Sequence, residues 1–406
     1  MIPPRSKILI QLTACSYGGV ETHVYYLSLL LAEAGAEVTL ISQRKFDLNA
    51  EWTSHLRDAG VRILSPPFWT RRLKGPLGLI PARIGLAHDL GEAKFDVVIG
   101  QGHGGSFAWL RRFVKPEGLC LWHEHWYGVS TRGRHFGPHL YEIPPRRLSF
   151  RMRRMIRKMD GILTGCELAR RNLIHIQKVK KPIRIIPPLD RLLNVPKVMD
   201  RDYSPLSTLK LAMFGRLEPN KGIEPLLNLW EHIHIGDAEL HLYGVELEQT
   251  FRFLAQQLGL SNVVFHGSFE RSDLPKLLDK VDIGLMLSFG EGYGLVPCEY
   301  MACGVPFVMT DVGAAWEFTN GNRDALKVAC DNRAVKEGIE EMAGRVRSGC
   351  TSRQRLQAFH QHNFSYEKAA ALYLKALLEP QTFWGCSPEP AAAGSPEIQG
   401  NCVANM

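Results

Sequence analysis

Short apolar runs alternate with longer helical stretches along most of the chain. The runs are continuous and bounded by Gly or Pro, which is typical of strands buried on both faces. Strands that alternate with helices form a parallel, doubly wound sheet. In the first half, strands are predicted at residues 7–12, 37–41, 61–64, 96–99, 118–122, 161–164 and 183–186.

The same alternation restarts after a proline-rich, charged connector at residues 187–207. Strands are predicted there at residues 209–214, 239–243, 262–265, 282–287, 305–309 and 325–328. The sequence therefore predicts an α/β protein with two Rossmann-like doubly wound domains, residues 1–195 and 205–363. Ligands of such sheets bind beyond the carboxyl ends of the strands, so the expected site is the cleft between the domains. Residues 380–406 have little apolar periodicity and predict a flexible tail.

Composition excludes several classes of protein. The 406 residues are 45% hydrophobic and 22% charged, which excludes a disordered or fibrous chain. No apolar stretch reaches the length of a membrane span, and no secretory signal is visible at the start, so we expect a cytoplasmic protein. The nine cysteines are scattered without metal-binding spacing, which favours buried thiols in a reducing compartment.

Charge is distributed unevenly between the two halves. Residues 1–200 contain 31 Lys and Arg against 16 Asp and Glu, whereas residues 201–406 contain 18 against 25. This asymmetry favours an anionic partner for the first domain, either a phosphorylated substrate or a lipid surface. Residues 148–159 form a basic amphipathic pattern, and residues 69–74 a basic aromatic one, so an anionic membrane at the inner face is a candidate partner. A helix packed on the sheet is the favoured alternative.

Two cations follow the strand predicted at residues 209–214. Arg216 and Lys221 lie between the end of that strand and the next helix. Cations in such a turn can flank a phosphate that also faces helix N–H groups. The segment predicts an anion site, with solvated surface charges as the alternative.

Two glutamates follow the buried strand at residues 282–287. Glu291 precedes a loop that contains Gly292 and Gly294, and a helix is predicted from about Leu295. The glycines allow close approach of the backbone to a ligand, and the helix directs its first N–H groups at it. Glu299 would lie one turn inside that helix. Carboxylates in these positions can accept hydrogen bonds from sugar hydroxyls.

These motifs together resemble the retaining nucleotide-sugar glycosyltransferases of family 4, which have the GT-B fold. The resemblance covers about residues 5–378 and rests on several segments in the expected order. They are the glycine loop at 17–24, the cationic turn at 215–222, the two-glutamate segment at 291–306, residues 311–313 and the closing helix from residue 364. The resemblance implies that residues 364–379 return to the first domain.

The resemblance also implies roles for individual residues. Arg216 and Lys221 would bind the donor diphosphate and stabilise it as it leaves, without a metal or other cofactor. Glu299 would bind the ribose, and Glu291 the transferred sugar. Further donor contacts are expected from Gly19, from the backbone of Gly267 and Ser268, and from the loop Gly292, Tyr293, Gly294 and Leu295.

A histidine motif in the first domain resembles the His-Asp-x-Trp turn of the same family, with Glu124 in place of Asp. His123 would lie at the cleft, where an imidazole can bind a sugar hydroxyl or help to move the acceptor proton. The neighbouring His125 is an alternative for that role. His103 and His125 are candidate acceptor-binding residues.

The implied function is transfer of a sugar from a nucleoside diphosphate, such as UDP, to an acceptor hydroxyl with retention of configuration. The acceptor would be a carbohydrate, a small molecule or a lipid-linked molecule held by the first domain. Nucleic acid is not an expected partner. Residues 100–105 match G-x-G-x-x-G and raise a dinucleotide-dependent oxidoreductase as an alternative. A further alternative is a non-catalytic protein that binds a nucleotide sugar or a membrane surface. Residues 200–202 match the D-x-D metal signature but lie in the connector.

Overall fold

A computed structural model describes residues 5–12, 18–42, 50–66, 76–101, 108–125, 150–192, 195–201 and 208–385. These residues form two α/β domains, each built around a sheet in which every strand pair is parallel. The prediction of two doubly wound domains is confirmed.

The first sheet has the strand order β3-β2-β1-β4-β5-β6-β7. Its strands are β1 (Lys7–Leu12), β2 (Glu37–Ser42), β3 (Arg62–Leu64), β4 (Phe95–Gln101), β5 (Val114–Glu124), β6 (Gly161–Thr164) and β7 (Ile183–Ile185). Residues of β1 and β4 are buried on both faces, as their continuous apolar runs predict.

Helices cover both faces of this sheet. They are α1 (Gly19–Glu33), α2 (Ala50–Asp58), α3 (Pro76–Leu90), α4 (Phe150–Arg157) and α5 (Glu167–Arg171). Helix α1 packs in the core of one face, whereas α3 and α4 contribute to the core of the other.

The second sheet has the order β10-β9-β8-β11-β12-β13. Its strands are β8 (Leu209–Phe214), β9 (Ala238–Tyr243), β10 (Val263–Gly267), β11 (Ile283–Met286), β12 (Phe307–Thr310) and β13 (Ala325–Val328). The helices are α6 (Ile223–Leu229), α7 (Glu248–Gln257), α8 (Leu274–Leu278), α9 (Leu295–Ala302), α10 (Ala315–Thr319), α11 (Asn332–Arg347) and α12 (Arg353–Asn363).

Helix α13 (Tyr366–Leu378) returns from the second domain to the first. Its apolar side chains, including Tyr373 and Leu377, are buried in the core that α1 shares with the first sheet. Helix α13 therefore packs against the first domain.

The sequence predicts a flexible tail from residue 380. In the structure, residues 380–385 form a further helix, α14 (Pro380–Gly385), directly after α13. The Trp384 indole Nε1 donates to the carbonyl of Ala376 at 3.2 Å. Its ring also occupies the space beside Gly161, where a Cβ would collide with it. Aromatic burial explains the ordering of this turn, which lacks helical apolar periodicity. Residues 386–406 lie outside the described residues.

The basic amphipathic helix predicted at residues 148–159 is α4. Its apolar residues Met155 and Ile156, and Met159 just after it, are buried in the core against the first sheet. The favoured alternative of a packed helix is thus confirmed, and this apolar stripe is not open to a membrane. None of the helices in the described part of the chain combines the length and apolarity that crossing a bilayer requires.

Candidate active site

Each sheet changes winding direction at one pair of strands. The pair is β1 and β4 in the first sheet, and β8 and β11 in the second. Helix α1 begins at Gly19 after β1, Lys221 follows β8, and Glu291 follows β11. Doubly wound sheets bind ligands at such positions. The predicted donor residues therefore lie at the topological switch point of the second sheet.

Lys221 and Glu291 form one cluster. The Lys221 Nζ donates to the Glu291 Oε1 at 2.6 Å, and the Ser288 hydroxyl donates to the same oxygen at 2.7 Å. Both charged side chains are mostly buried. The other carboxylate oxygen of Glu291, Oε2, accepts no hydrogen bond from the described residues. The cluster thus fixes the lysine ammonium beside a carboxylate that still has acceptor capacity.

Helix α9 begins at the same place. Its N-cap is Gly294, with φ of 99°, a left-handed conformation that favours glycine. No side chain caps the first N–H groups of this eight-residue helix, so they retain hydrogen-bonding capacity for an anion. Pro297 lacks an N–H, which leaves the amides of Leu295 and Val296 as donors in the first turn.

Loops of the first domain close directly onto this helix start. A Cβ at Gly19 would lie 2.8 Å from the Leu295 Cδ1, and one at Gly165 would lie 3.0 Å from the Tyr293 Cδ2. The Cys166 thiol also donates to the carbonyl of Gly292 at 3.5 Å. The predicted donor loop is therefore in contact with the first domain, and Gly19 is the residue where α1 approaches α9.

Arg216 does not join the lysine cluster. Its Nη1 donates to the Glu218 Oε1 at 2.8 Å, within the same loop, and 47% of its side chain is exposed. A surface ion pair of this kind contributes little to stability. Arg216 can therefore exchange its partner for a ligand anion at small cost.

Glu299 lies one turn inside α9 and is buried. Its Oε1 accepts from the Arg271 Nη1 at 2.8 Å, while the Arg271 Nη2 donates to Asp190. Burial raises the pKa of Glu299, the Arg271 charge opposes that shift, and Asp190 reinforces it. The sequence predicts a carboxylate open to ribose hydroxyls, but the structure shows one of its oxygens already paired. A buried carboxylate requires such a partner.

His123 differs from its predicted position at the cleft. It lies near the end of β5, one residue before Glu124, and its side chain is fully buried, with Nε2 3.3 Å from the Tyr373 hydroxyl. The His125 ring is centred 3.9 Å from that of His123 and is partly exposed. Its Nε2 donates to the Gln101 Oε1 at 2.5 Å. Strand alternation puts both histidines on one face, and α13 covers the inner one. His103 lies outside the described residues.

A third histidine, His23 of α1, completes a group whose ring nitrogens lie within 4.8 Å of one another. Burial, followed by the neighbouring His125, lowers the pKa of both His23 and His123. However, the backbone N–H of Leu189 donates to the His23 Nδ1 at 2.9 Å. The neutral ring must then hold its proton on Nε2, so it offers no lone pair to a metal without losing this bond. The hydrogen bonding favours a packed histidine cluster over a metal centre.

The D-x-D signature has a structural role where it is described. The Asp200 carboxylate accepts from the Ser352 hydroxyl and the Gln354 N–H at the start of α12. Arg201 pairs with Asp282 at 2.7 Å. These residues tie the connector to the second domain. Asp202 lies outside the described residues.

The oxidoreductase alternative is not favoured. Gly100 does not begin a turn, because it lies inside β4 and pairs with Gln11 of β1 and Trp122 of β5. The dinucleotide fingerprint requires its first glycine in the tight turn after the strand. Residues 102–105 of the motif lie outside the described residues.

Four residues of the site are not predicted from the sequence: Arg271, Asp190, His23 and Tyr373. His23 lies within the glycine-loop motif and had a readable signal, since a polar residue on an apolar helix face needs a partner. Arg271 lies in a short 3-10 turn of the second domain and Asp190 in the interdomain connector, and a single sequence carries no signal that pairs them.

Two family descriptions match the chain, one in each domain. Residues 17–189 match "Glycosyltransferase Family 4", and residues 208–344 match "Glycosyl transferases group 1". Together they cover more than half of the sequence. The chain belongs to the group 1 glycosyltransferases.

Individual relatives of this glycosyltransferase chain are distant. A D-inositol 3-phosphate glycosyltransferase of Paenarthrobacter aurescens is 29% identical over 126 residues, which are 30% of this chain and 31% of the relative. The matched segments span about three tenths of the length of the first curated relatives.

Solved structures of the GT-B fold cover nearly the whole chain. Sucrose-phosphate synthase from Thermosynechococcus elongatus superposes with a TM-score of 0.71 at 19% identity, over 94% of this chain and 100% of that one. HepE from Anabaena, in complex with UDP and glucose, superposes with a TM-score of 0.66 at 16% identity, over 92% of this chain and 100% of that one. At these identities the likeness shows the fold alone.

The buried histidines predict a pH dependence of stability. Because the folded pKa of His23 lies below its unfolded value, stability is complete above about pH 6.5 and falls as the pH drops below it, by up to about 1.4 kcal/mol per pH unit for each such histidine. We expect His23→Gln to flatten this slope between pH 6.5 and 5, measured as the free energy of urea unfolding.

The exposed His232 supplies the matched control. His232→Gln should keep the wild-type slope. An unchanged slope in His23→Gln would show that burial does not hold His23 neutral.

Proposed function

We propose that this chain transfers a sugar from a nucleoside diphosphate sugar to an acceptor hydroxyl, with retention of configuration and without a metal. The observation that carries the proposal is the Lys221–Glu291 cluster beside the uncapped start of α9, at the switch point of the second sheet and against Gly19 of the first domain. A cation and free helix amides suit a diphosphate, and carboxylate oxygens suit sugar hydroxyls.

The donor half of the proposal has the strongest support. Lys221 and the amides of Leu295 and Val296 take up negative charge on the departing diphosphate, with Arg216 as a mobile second cation. Preorganised groups of this kind stabilise charge that develops in the transition state. A neighbour of the same fold is described in complex with UDP and glucose, which supports a nucleotide sugar as donor.

In the proposed reaction, the bond between the anomeric carbon and the diphosphate oxygen breaks, and the diphosphate keeps its electron pair. The acceptor oxygen attacks from the same face, and its proton passes to the departing diphosphate oxygen. Glu291 holds a hydroxyl of the transferred sugar and is not assigned as a nucleophile. We assign the substrate contact to His125, because it is partly exposed whereas the neighbouring His123 is fully buried. Retention follows from the family resemblance.

The first domain is assigned to an anionic or lipid-linked acceptor. Its excess of Lys and Arg supports this class, as does the phosphorylated polyol in the name of the D-inositol 3-phosphate relative. Parallel α/β helices run antiparallel to the strands, so α3 and α4 begin at the edge that faces the crevice. Ile80 and Ile84 of α3 are 58% and 66% exposed, and Phe150 of α4 is 71% exposed. Arg154 and Arg157 of α4 are exposed as well. Exposed apolar and cationic side chains on two helices that pack on the same face of the sheet suit contact with an anionic bilayer.

Removal of either member of the lysine cluster should abolish transfer. We expect Lys221→Ala and Glu291→Gln each to lower kcat/KM for sugar transfer by about 100- to 1000-fold, the range for loss of one group that stabilises developing charge. Circular dichroism and the melting temperature should stay close to wild type. A panel of nucleotide sugars, screened by donor hydrolysis, identifies the donor for this assay.

Lys327→Ala is the matched control, because Lys327 forms a comparable ion pair with Asp311 in the same domain at 3.0 Å. It should keep wild-type turnover. Near-wild-type turnover in Lys221→Ala or Glu291→Gln would contradict the site assignment.

Membrane association is tested by flotation with anionic liposomes. We expect wild-type protein to float at low ionic strength and to be released at high salt, because screening weakens attraction to the surface. The double variant Ile80→Asp, Ile84→Asp should stay at the bottom. Phe253→Asp changes a residue of the second domain that is 60% exposed, and it should float like wild type. Wild-type protein that stays at the bottom at low salt would remove this part of the proposal.

A further inference from the structure

Arg271 connects two buried carboxylates that come from different parts of the fold. It begins a short 3-10 turn, Arg271–Asp273, four residues after β10 ends at Gly267. The turn lies at the carboxyl edge of the second sheet, on the side that faces the crevice. The guanidinium donates through Nη1 to Glu299 at 2.8 Å and through Nη2 to Asp190. One side chain thus holds the predicted ribose-binding glutamate and a residue of the interdomain connector.

The same guanidinium also lies against the first domain. Burial raises the pKa of Tyr26 in α1, and the charge of Arg271 and a hydrogen bond with it act to lower that pKa. The Tyr26 hydroxyl donates to the carbonyl of Arg191, next to Asp190, at 2.9 Å. Arg271 is therefore placed where α1, the connector and α9 meet.

The charges explain why an arginine is needed at this position. The Glu299 and Asp190 side chains are only 7% and 9% exposed. Two buried carboxylates without a cation would carry a large desolvation cost and repel each other. The planar guanidinium can donate to both at once in a fixed orientation, which a lysine ammonium cannot do in the same geometry. Arg271 consequently fixes the direction of the Glu299 carboxylate.

The pairing uses only part of the acceptor capacity of Glu299. Arg271 bonds to Oε1, whereas Oε2 accepts no hydrogen bond from the described residues. Glu299 also lines a cavity of about 310 Å³, together with Leu295, Tyr293 and Asp190. An oriented carboxylate with one unused oxygen beside a cavity suits a vicinal diol.

We propose that Arg271 is a positioning residue for the donor: it orients Glu299 so that Oε2 accepts from the ribose hydroxyls, and through Asp190 it ties this contact to the interdomain connector. The proposal rests on the donor site described under the proposed function. It adds a residue that no motif in the sequence identifies. Arg271 itself makes no contact with the nucleotide in this arrangement.

The test measures nucleotide binding and not activity alone. Isothermal titration of wild-type protein with UDP and with GDP first selects the base that binds more tightly. The same nucleoside diphosphate and its 2′,3′-dideoxy form are then titrated into wild type, Arg271→Gln and Arg271→Lys. The dideoxy compound lacks the hydroxyls that Glu299 would bind, so it separates the ribose contact from the diphosphate contacts.

We expect wild type to bind the ribose form about 10- to 100-fold more tightly than the dideoxy form, the range for loss of hydrogen bonds to a charged group. Arg271→Gln should lose most of this discrimination, with weaker binding of the ribose form and less than about threefold change for the dideoxy form. Arg271→Lys should recover part of it. In the transfer assay, Arg271→Gln should raise the donor KM while kcat changes less.

Arg345→Gln is the control, because Arg345 has the same 33% side-chain exposure and pairs with Glu341 in α11 of the same domain. It should keep wild-type discrimination. Equal weakening of both nucleotides by Arg271→Gln would overturn the proposal, because it would indicate a diphosphate contact or a general structural defect. Retained discrimination in that variant would also overturn it. Wild-type protein that binds neither nucleotide would contradict the proposed function itself, and the role of Arg271 would fall with it.

Discussion

The close approach of two helix starts determines the geometry of the crevice. Helix α1 begins at Gly19 in the first domain, and α9 begins at Leu295 in the second, with the end of the Leu295 side chain in the space that a Cβ at residue 19 would take. Because both helices follow strands at the switch points of their sheets, this contact brings together the two edges at which doubly wound sheets bind ligands. The return of α13 to the first domain supports the same arrangement, since its Tyr373 packs in the core beneath α1.

Charge pairing then decides what the crevice can bind. Lys221 pairs with Glu291, and Arg271 pairs with Glu299. Each of the two glutamates is therefore bonded to one cation through Oε1, and its Oε2 remains able to accept a hydrogen bond. Buried or half-buried carboxylates without these partners would be protonated or would destabilise the fold. The pairs therefore serve two purposes. The cations lower the free-energy cost of burying the two carboxylates. They also fix the orientation of the carboxylates in the absence of a ligand, which lowers the entropic cost of binding.

The sequence predicts the architecture well because its signals are local. Continuous apolar runs identify strands such as β1, β6, β8 and β13 with the observed bounds, and Gly294 marks the start of α9. The predictions that fail concern contacts between segments that lie far apart in the sequence. The burial of His123 depends on α13, which lies some 250 residues further along the chain. Trp384 can pack beside residue 161 because that residue is a glycine, since a Cβ there would collide with the indole ring. The partner of Glu299 lies in a separate loop, and no periodicity indicates that Arg271 reaches it.

The central claim is that a diphosphate occupies the space between Lys221, the start of α9 and the glycine loop of α1. A crystal structure of the protein with the nucleoside diphosphate that it binds most tightly tests this most directly. The account predicts phosphate oxygens within hydrogen-bonding distance of the Lys221 Nζ and of the Leu295 or Val296 amide, with the Gly19 backbone alongside. A diphosphate bound elsewhere, with Lys221 still paired only to Glu291, would contradict it.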